Sequence, residues 1–444
     1  MKFSTHKIYR TDYRALTIKI LVRFSTLFGV WILVSGLLYL KIPIAFTKIY
    51  AEDGSVSLQD ALAKSFPNDF LSSYAGYFDI IARSAGIVVT LFPLQNAAQV
   101  FFFFNTLMLS WIAITIYLAS SEFIPNKTTR SVFSLSLILL PIASFESIAN
   151  TTNLHFFFMS ACLPIFLRGT MGKHETLFFS FFVLVATLST PLMIFYFPLL
   201  VFIRGNFWHS SFFTKLNHLE FVWSFGILIQ VLFVFTQAFG ERTSTGVQSV
   251  TKTGFLYLDR VVGSAFFPWW GNVSDSTTSI APNLFSANVY LAFRAILAII
   301  LFVFLIFYII KSSKGNIKIR TLSGCVLFTT IFYWFAVGVL FNPEPRYAIF
   351  PSFALLVVLF YVQGGGLKKE RLDLHQRLGV VLIILTWLGS WSPSQLRVNG
   401  PTWATEYEKA RVDCFAGASE VRIPIIPTNL KWFVVIDCET ILSN

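Results

Sequence analysis

Two adjacent acidic residues, Glu52 and Asp53, form the strongest chemical motif of this sequence. They follow the first long apolar segment and precede Gly54, which lets the backbone turn sharply beside them. A carboxylate in this position can accept a proton from a hydroxyl group or bind a cation, if burial and neighbouring groups adjust its pKa. Because Asp-Gly is also a common turn pair, a solvated turn at a helix end is the alternative interpretation.

A second polar motif lies between two later apolar segments and combines a third carboxylate with amides and an imidazole. Its candidate residues are Glu146, Asn150, Asn153 and His155. An ionisable residue such as Glu146 is costly at the end of a membrane span and usually has a partner or a function. Hydrogen bonds from neighbouring amides that only cap a helix end are the alternative interpretation.

Three arginines near these motifs are candidates for binding a phosphate group. Arg346 lies next to Tyr347 in a short loop with two prolines, and Arg260 and Arg83 lie in other loops. A guanidinium confined in this way can contact a phosphate through two parallel hydrogen bonds. An ion pair with Glu344, or an aliphatic stem lying along lipid, explains Arg346 equally well.

Three aromatic residues, Tyr77, Trp269 and Trp270, are candidates for stacking on a sugar ring. Tyr and Trp are also enriched at membrane–water interfaces, so the two tryptophans are more readily explained as anchors. The sequence contains no P-loop, no dinucleotide-binding GxGxxG and no HExxH motif. An enzyme of this kind would therefore draw on an activated substrate already in the membrane.

The composition indicates that membrane-spanning helices position these motifs. Of the 444 residues, 55% are hydrophobic and 13% are charged, against roughly 25% charged in soluble domains. We predict an all-α, polytopic transmembrane helical bundle of about eleven spans, because about 20 apolar residues make one span. The predicted spans are 24–46, 97–118, 131–149, 152–168, two within 177–203, 219–239, 288–310, 321–341, 347–363 and 377–391.

The basic residues predict which side each loop faces. In one topology 78–95 lies at the membrane surface and 177–203 is a hairpin broken at Thr190–Pro191; in the other 78–95 spans and 177–203 is one tilted helix. The first places 20 of the 34 Lys and Arg in 82 cytoplasmic residues, so the positive-inside rule favours it. The N-terminus is then inside and the C-terminus outside. The formal net charge of +12 reflects this topology, and no nucleic-acid partner is expected.

The predicted topology divides the chain into a membrane domain, 1–391, with outer loops at 47–96 and 240–287, and a small outer module, 392–444. Cys414 and Cys438 both lie in this module. An outer compartment is oxidising, so a disulfide between them and two buried free thiols are equally compatible with the sequence. The four cysteines form no CxxC pair, and no zinc site is predicted.

The arrangement resembles the polytopic, lipid-donor glycosyltransferases of the GT-C superfamily. In that family the first outer loop carries an acidic motif after the first span, the next outer loop often adds a second acidic residue, and later loops supply arginines. Glu52-Asp53, Glu146 and Arg346-Tyr347 match these positions. The resemblance implies that Asp53 is the catalytic base, that Glu52 or Glu146 orients the acceptor or a divalent cation (Mg or Mn), and that Arg346, with Arg260, neutralises the departing lipid phosphate.

Within that superfamily, size and span number are similar to the serotype-converting O-antigen glucosyltransferases of enteric bacteria. This resemblance implies transfer of a hexose, such as glucose, from a polyprenyl-phosphate donor to a glycan or lipid-linked acceptor, without a soluble cofactor. It also implies a bacterial inner membrane and an active site facing the periplasm. A flippase or transporter of a lipid-linked saccharide, and an O-antigen polymerase or ligase, remain alternative functions.

Overall fold

The computed structural model shows a mostly helical chain with one small two-stranded sheet. It describes residues 12–64, 67–73, 76–144, 147–204, 217–237, 249–263, 265, 287–313, 316–341, 344–364, 381, 384 and 399–443.

Long helices alternate with short 3-10 and π-helical turns along the chain. The helices of the first half are α1 (Asp12–Lys41), α2 (Gln59–Ala63), α3 (Ile80–Thr90), α4 (Ala97–Ala119), α5 (Lys127–Leu139), α6 (Leu154–Leu167), α7 (Lys173–Ser189), α8 (Phe197–Arg204) and α9 (His218–Gln237). Those of the second half are α10 (Val250–Leu256), α11 (Ala287–Ser312), α12 (Ile317–Phe341), α13 (Ile349–Gly364), α14 (Trp403–Phe415) and α15 (Cys438–Ser443), and the strands are β1 (Glu420–Pro424) and β2 (Phe433–Asp437).

Within the described part of the chain, five helical segments are long and apolar enough to cross a membrane. They are Phe24–Lys41, Leu94–Glu122, His218–Thr236, Ile317–Gly338 and Pro345–Val362. Shorter apolar helices lie at Ile80–Thr90, Thr151–Leu167, Pro191–Ile203 and Ile296–Ser312. The predicted helical, membrane-compatible architecture is confirmed at this level. The eleven spans and their orientation stay predictions, and the span expected at 377–391 lies almost entirely outside the described residues.

Helices α7 and α9 run parallel, which fixes the path of the chain between them. His218, at the start of α9, lies 2.8 Å from the Ser180 hydroxyl, and Gln230, further along α9, donates to the Thr187 carbonyl (2.9 Å) near the end of α7. Two parallel neighbours require an intervening return of the chain. The helix does end at Ser189, and a 3-10 turn starting at Pro191 begins the return.

The contacts of that return segment confirm its direction. Trp223 donates its indole N–H to the Met193 carbonyl (3.0 Å), and Tyr196 donates its hydroxyl to the Met159 carbonyl (2.7 Å) in the middle of α6. Residues 177–203 therefore form two short antiparallel pieces and not one tilted helix. This agrees with the first of the two topologies predicted from the charge pattern.

Helix α3 also agrees with that topology. Its 11 residues span about 16 Å, roughly half the thickness of a bilayer hydrocarbon core. Asp79 caps its start by accepting from the Ala82 amide (3.2 Å). At Gly86 the helix passes so close to the turn after Asp53 that an added Cβ would lie 2.1 Å from a backbone oxygen. The helix is thus a short element packed on the first loop.

We use the term site end for the end of the bundle that carries residues 47–58, 76–79, 147–156, 190–192 and 344–348. The opposite end carries the loops around 118–130 and 167–175. There the Gly169 amide donates to Glu122 (2.8 Å), and Arg168 donates to the Leu118 carbonyl (3.0 Å). The acidic motif, the polar loop and the Arg346 loop therefore share one end of the molecule, as the predicted topology requires.

The C-terminal module packs on the first loop and does not stand apart from it. Residues 49–101 and 403–441 contribute to one buried apolar cluster. The Gln59 side chain exchanges hydrogen bonds with the backbone of Val435, and the Trp403 indole donates to the Leu94 carbonyl (2.6 Å). The predicted boundary at 391/392 consequently separates two parts of the chain that share a core.

A disulfide joins Cys414, at the end of α14, to Cys438, at the start of α15. The sequence alone left this bond open. The two strands between these helices pair antiparallel, from Glu420 opposite Asp437 to Pro424 opposite Phe433. The module is therefore a strand pair between two helices that are joined by a disulfide.

Candidate functional site

The acidic motif begins at a backbone position held by the C-terminal module. Tyr50 forms a parallel bridge with Ile426, and the Ala51 amide donates to the Ile426 carbonyl (2.6 Å). Ala51 has a positive φ of 41°, a conformation that L-residues adopt only at a cost. The π-helical turn Asp53–Leu58 follows at once and turns the Asp53 side chain into the protein.

Asp53 is 3% exposed and is held by the second polar motif. Its Oδ1 accepts from the Thr151 amide (2.8 Å) and from the Thr151 hydroxyl. A buried carboxylate is stable when it accepts such hydrogen bonds, because they replace the water that it has lost. The two polar loops predicted to lie at one face are therefore directly bonded to each other.

A pocket of about 80 Å³ opens beside this bond. It is lined by residues of four separate loops: Tyr77, Thr152, Asn153, His155, Phe156, Thr190, Pro191, Leu192, Arg346 and Tyr347. Five of these are candidate site residues of the sequence, namely Tyr77, Asn153, His155, Arg346 and Tyr347. The structure thus brings together residues that lie up to 270 positions apart in the chain.

Arg346 supplies the positive charge of this pocket. Its Nη2 lies 2.5 Å from Glu344 Oε2, so the ion pair that the sequence offered as an alternative is present. The guanidinium remains partly exposed and also lies over the Tyr347 ring, with 5.7 Å from Cζ to the ring centroid. Tyr347 packs edge-to-face against Phe156 across the pocket. Arg346 is thereby oriented at the pocket and could exchange one of its contacts for an anion.

His155 lines the pocket and has a carboxylate behind it. Its Nδ1 lies 3.7 Å from Oδ2 of Asp79, which is completely buried. Neither of these two atoms has a hydrogen-bond partner among the described residues. The Tyr77 ring packs edge-to-face on the imidazole, with 6.1 Å between ring centroids. This pair can orient the imidazole.

Other predicted residues lie near the pocket but do not line it. Asn150 is buried and caps the next turn by accepting from the Thr152 amide (3.0 Å), while its Nδ2 has no partner among the described residues. Arg260 is half-buried in the π-helical turn Tyr257–Gly263, which packs against the turn that carries Arg346. Glu52 is half-buried next to Asp53.

Arg83 has a structural role in this fold. The guanidinium is buried, pairs with Asp60, and donates to the carbonyls of Ser72 (3.1 Å) and Ser73 (2.8 Å). These contacts join α3 to the loop before it. The predicted phosphate contact from Arg83 is therefore not supported by its position.

Three of the predicted site residues, Glu146, Trp269 and Trp270, lie outside the described residues. The roles expected for them stay predictions.

Sequence reasoning missed three residues that build the site. Thr151 holds Asp53, and Thr152 and Thr190 line the pocket. Asp79 follows Tyr77 by two positions; it faces the imidazole and also caps α3. The threonines carry no signal of their own, although Thr190 precedes the predicted helix break.

The donor set for a divalent cation is incomplete in the described residues. They contain no group of three or more His, Cys, Asp or Glu side chains that could hold a metal ion. Asp53 is bonded to Thr151 and Asp79 caps α3, so these two carboxylates are already engaged. The described residues therefore assign no step of the reaction to Mg²⁺ or Mn²⁺.

Comparison with known proteins adds no family to these observations: no protein-family model matches the chain, and no curated protein matches it significantly.

Proposed function

We propose that this chain is a membrane glycosyltransferase that transfers a hexose from a polyprenyl-phosphate donor to a glycan or lipid-linked acceptor. One observation carries the proposal. A single pocket at the site end is lined by an arginine, an imidazole, an amide and two tyrosines. The buried carboxylate of Asp53 is hydrogen-bonded to Thr151, the residue before Thr152 of the pocket lining. Sugar hydroxyls need such polar partners, and aromatic faces suit a sugar ring. The chemistry of the pocket lining therefore suits a phosphorylated sugar at the end of a lipid.

The phosphate would bind at Arg346. As the bond between the anomeric carbon and the phosphate oxygen breaks, negative charge grows on the phosphate. A guanidinium held in position stabilises that charge. His155, which Asp79 faces at 3.7 Å, would add a hydrogen-bonding imidazole on the same wall. No soluble cofactor is needed because the lipid phosphate is the leaving group.

The proton of the acceptor hydroxyl would pass to Asp53. The acceptor oxygen then bonds to the anomeric carbon, and the sugar–phosphate bond breaks with its electron pair on the phosphate. Thr151 now occupies the proton-accepting oxygen of Asp53, so the acceptor hydroxyl would replace the Thr151 hydroxyl there. The neighbouring Thr152 lines the pocket, so this exchange would occur at the pocket wall.

Buried polar groups around the pocket support the presence of a polar ligand. Thr152 Oγ1 and Asn150 Nδ2 both lack hydrogen-bond partners among the described residues. Each such group costs about 1–3 kcal/mol if it stays unsatisfied. Sugar hydroxyls and a phosphate would offset this cost on binding.

The charge pattern supports a site that faces the periplasm of a bacterial inner membrane. The pocket residues lie in, or at the span ends next to, the turns that the positive-inside rule places outside, whereas the predicted cytoplasmic segments hold 20 of the 34 Lys and Arg. The disulfide at the site end belongs in an oxidising compartment. Orientation would be read out directly by labelling single cysteines from either side of the membrane.

The decisive experiment compares Asp53→Asn and Arg346→Gln with the wild type by mass spectrometry of the cell-surface polysaccharide, at matched protein abundance. Asn keeps the oxygen that accepts from the Thr151 amide but cannot take up a proton, so the fold is expected to persist while transfer falls at least 100-fold. Arg422→Gln removes an exposed arginine from the C-terminal module and serves as the charge control.

Each outcome has a defined meaning. Undiminished transfer in Asp53→Asn would remove Asp53 from the mechanism. A mass change of whole repeats, and not of one hexose, would indicate a polymerase or ligase. Movement of labelled lipid-linked sugar across proteoliposomes without a new glycosidic bond would indicate a flippase.

A further inference from the structure

A second cavity lies at the opposite end of the bundle, between α1 and α5 and against α4. Its volume is about 740 Å³, within the range of roughly 300–1,000 Å³ that is typical of ligand sites. At the site end the two helices are joined by Lys41, which donates to the carbonyls of Ile138 (2.5 Å) and Leu140 (3.2 Å). Both helices lead from the opposite end toward the site end. Helix α4 forms the floor of a cleft between their N-terminal halves.

The cleft changes from polar to apolar along its length. Its apolar end, toward the middle of the bundle, is formed by Leu33, Ala113 and Leu135, and its polar end by Thr26, Tyr117 and Ser131. The outer rim is exposed and apolar, because Leu27 and Leu33 are each 49% exposed on the face that α1 presents to its surroundings. This gradient is that of a lipid, with an acyl chain inward and a headgroup at the end.

A cation stands at the polar end of the cleft. Arg130 donates from Nη2 to the Tyr117 hydroxyl (3.1 Å) and lies 4.3 Å from the centroid of that ring. It makes no ion pair within the described part of the chain, and its Nε is buried without a hydrogen-bond partner there. The nearby Arg168 is neutralised by Glu175 (2.8 Å), and Glu122 accepts from a backbone amide. No carboxylate of the described residues therefore neutralises the charge of Arg130.

We infer that this cleft binds one anionic phospholipid, with an acyl chain between α1 and α5 and the phosphate at Arg130. The apolar, membrane-facing rim favours a lipid over a soluble ligand, and the uncompensated guanidinium favours a negative headgroup. The site lies at the end remote from the pocket and does not depend on the proposed transfer reaction. It rests only on the chain being embedded in a membrane.

The test measures lipid affinity of the purified full-length protein by native mass spectrometry, with phosphatidylglycerol and phosphatidylcholine as probes. Arg130→Gln should weaken phosphatidylglycerol binding about fivefold, the effect of one basic residue near a headgroup, and leave phosphatidylcholine unchanged. Ile114 of α4 is half-buried and lines the cleft. Ile114→Trp fills the cleft and should weaken the binding of both lipids. Leu107→Trp places the same ring on the exposed face of α4 outside the cleft, and Lys173→Gln removes an exposed charge at the same end.

Three results would overturn the inference. These are equal affinity of the wild type for the two lipids, unchanged phosphatidylglycerol binding in Arg130→Gln, and equal effects of Ile114→Trp and Leu107→Trp. Arg130→Gln keeps the packing of the cleft intact, so its result stands even if the tryptophan variant fails to fold.

Discussion

Removing the disulfide should loosen the acidic motif as well as the C-terminal module. The variant carries both Cys414→Ser and Cys438→Ser. These residues close a module that contacts the first loop through Ile426, whose backbone is bonded to Ile49 and Ala51. If the module opens, the backbone that presents Asp53 loses its partner strand.

The size of the effect follows from the length of the closed loop. The two cysteines are 24 positions apart, and a loop of this length gives about 3.5 kcal/mol of unfolded-state entropy to the stability of the module. A unit the size of residues 399–443 has a free energy of unfolding of only about 2–7 kcal/mol. The disulfide therefore accounts for a large part of it, and its loss should raise the open population by about 300-fold.

Hydrogen–deuterium exchange of the detergent-purified protein tests this coupling. In the double variant, backbone amides of residues 399–443 and of the segment 49–54 should exchange faster together, while those of α6 should not change. Cys325→Ser, at a buried free cysteine in α12, is the matched control. Faster exchange in the module with unchanged exchange in 49–54 would refute the idea that the module holds the acidic motif.

Three further substitutions test individual contacts. Thr151→Val removes the hydroxyl that donates to Asp53 and should lower the free energy of unfolding by about 1.5–3 kcal/mol. Arg83→Gln breaks a buried ion pair with Asp60 and should cost about 3–5 kcal/mol, with no specific loss of substrate affinity in the protein that remains folded. Gly86→Ala places a methyl group 2.1 Å from a backbone oxygen and should cost at least about 1–3 kcal/mol.

All three are read out as thermal or denaturant unfolding in detergent, each against a variant that isolates the cause. Thr151→Ser keeps the hydroxyl and should restore stability. Lys64→Gln removes the exposed partner of Asp60 and should be nearly neutral, as exposed ion pairs are. Gly29→Ala meets no neighbour within 4 Å and should not destabilise. A stable Arg83→Gln protein with weakened substrate binding would contradict the structural role of that arginine.

The ends of helices, and hence the grouping of the site loops, could be predicted from the sequence. Apolar segments give the positions of the loops, and basic residues give their sides, because transfer into a bilayer and charge asymmetry act on each segment separately. Tyr77, Asn153, His155 and Arg346 all fall in such loops or in the first residues of the next predicted span, and the structure brings all four to one pocket. The break at Pro191 was also readable, since proline begins a turn and cannot continue a helix.

Pairwise contacts between remote segments could not be predicted in this way. Hydropathy measures the burial of one segment and does not identify the neighbour that it meets. The bonds between Gln59 and Val435 join residues 376 positions apart, and nothing local in either sequence marks them. For the same reason Arg83 reads as a candidate phosphate ligand, although Asp60 and two carbonyls occupy it.

The hydrogen bonds between Asp53 and Thr151 join two segments that each contain a strained backbone position. This strain explains why the site needs the whole chain. Ala51 and Ala149 both have positive φ, of 41° and 58°, at a cost of roughly 1–2 kcal/mol each. Each hydrogen bond to the buried carboxylate stabilises the fold by about 1.5–3 kcal/mol, which only slightly exceeds the energetic cost of the strain. The bridge from Ile426 supplies the remaining constraint on Ala51. The carboxylate is therefore held in place only when the first loop, the polar loop and the C-terminal module are assembled together.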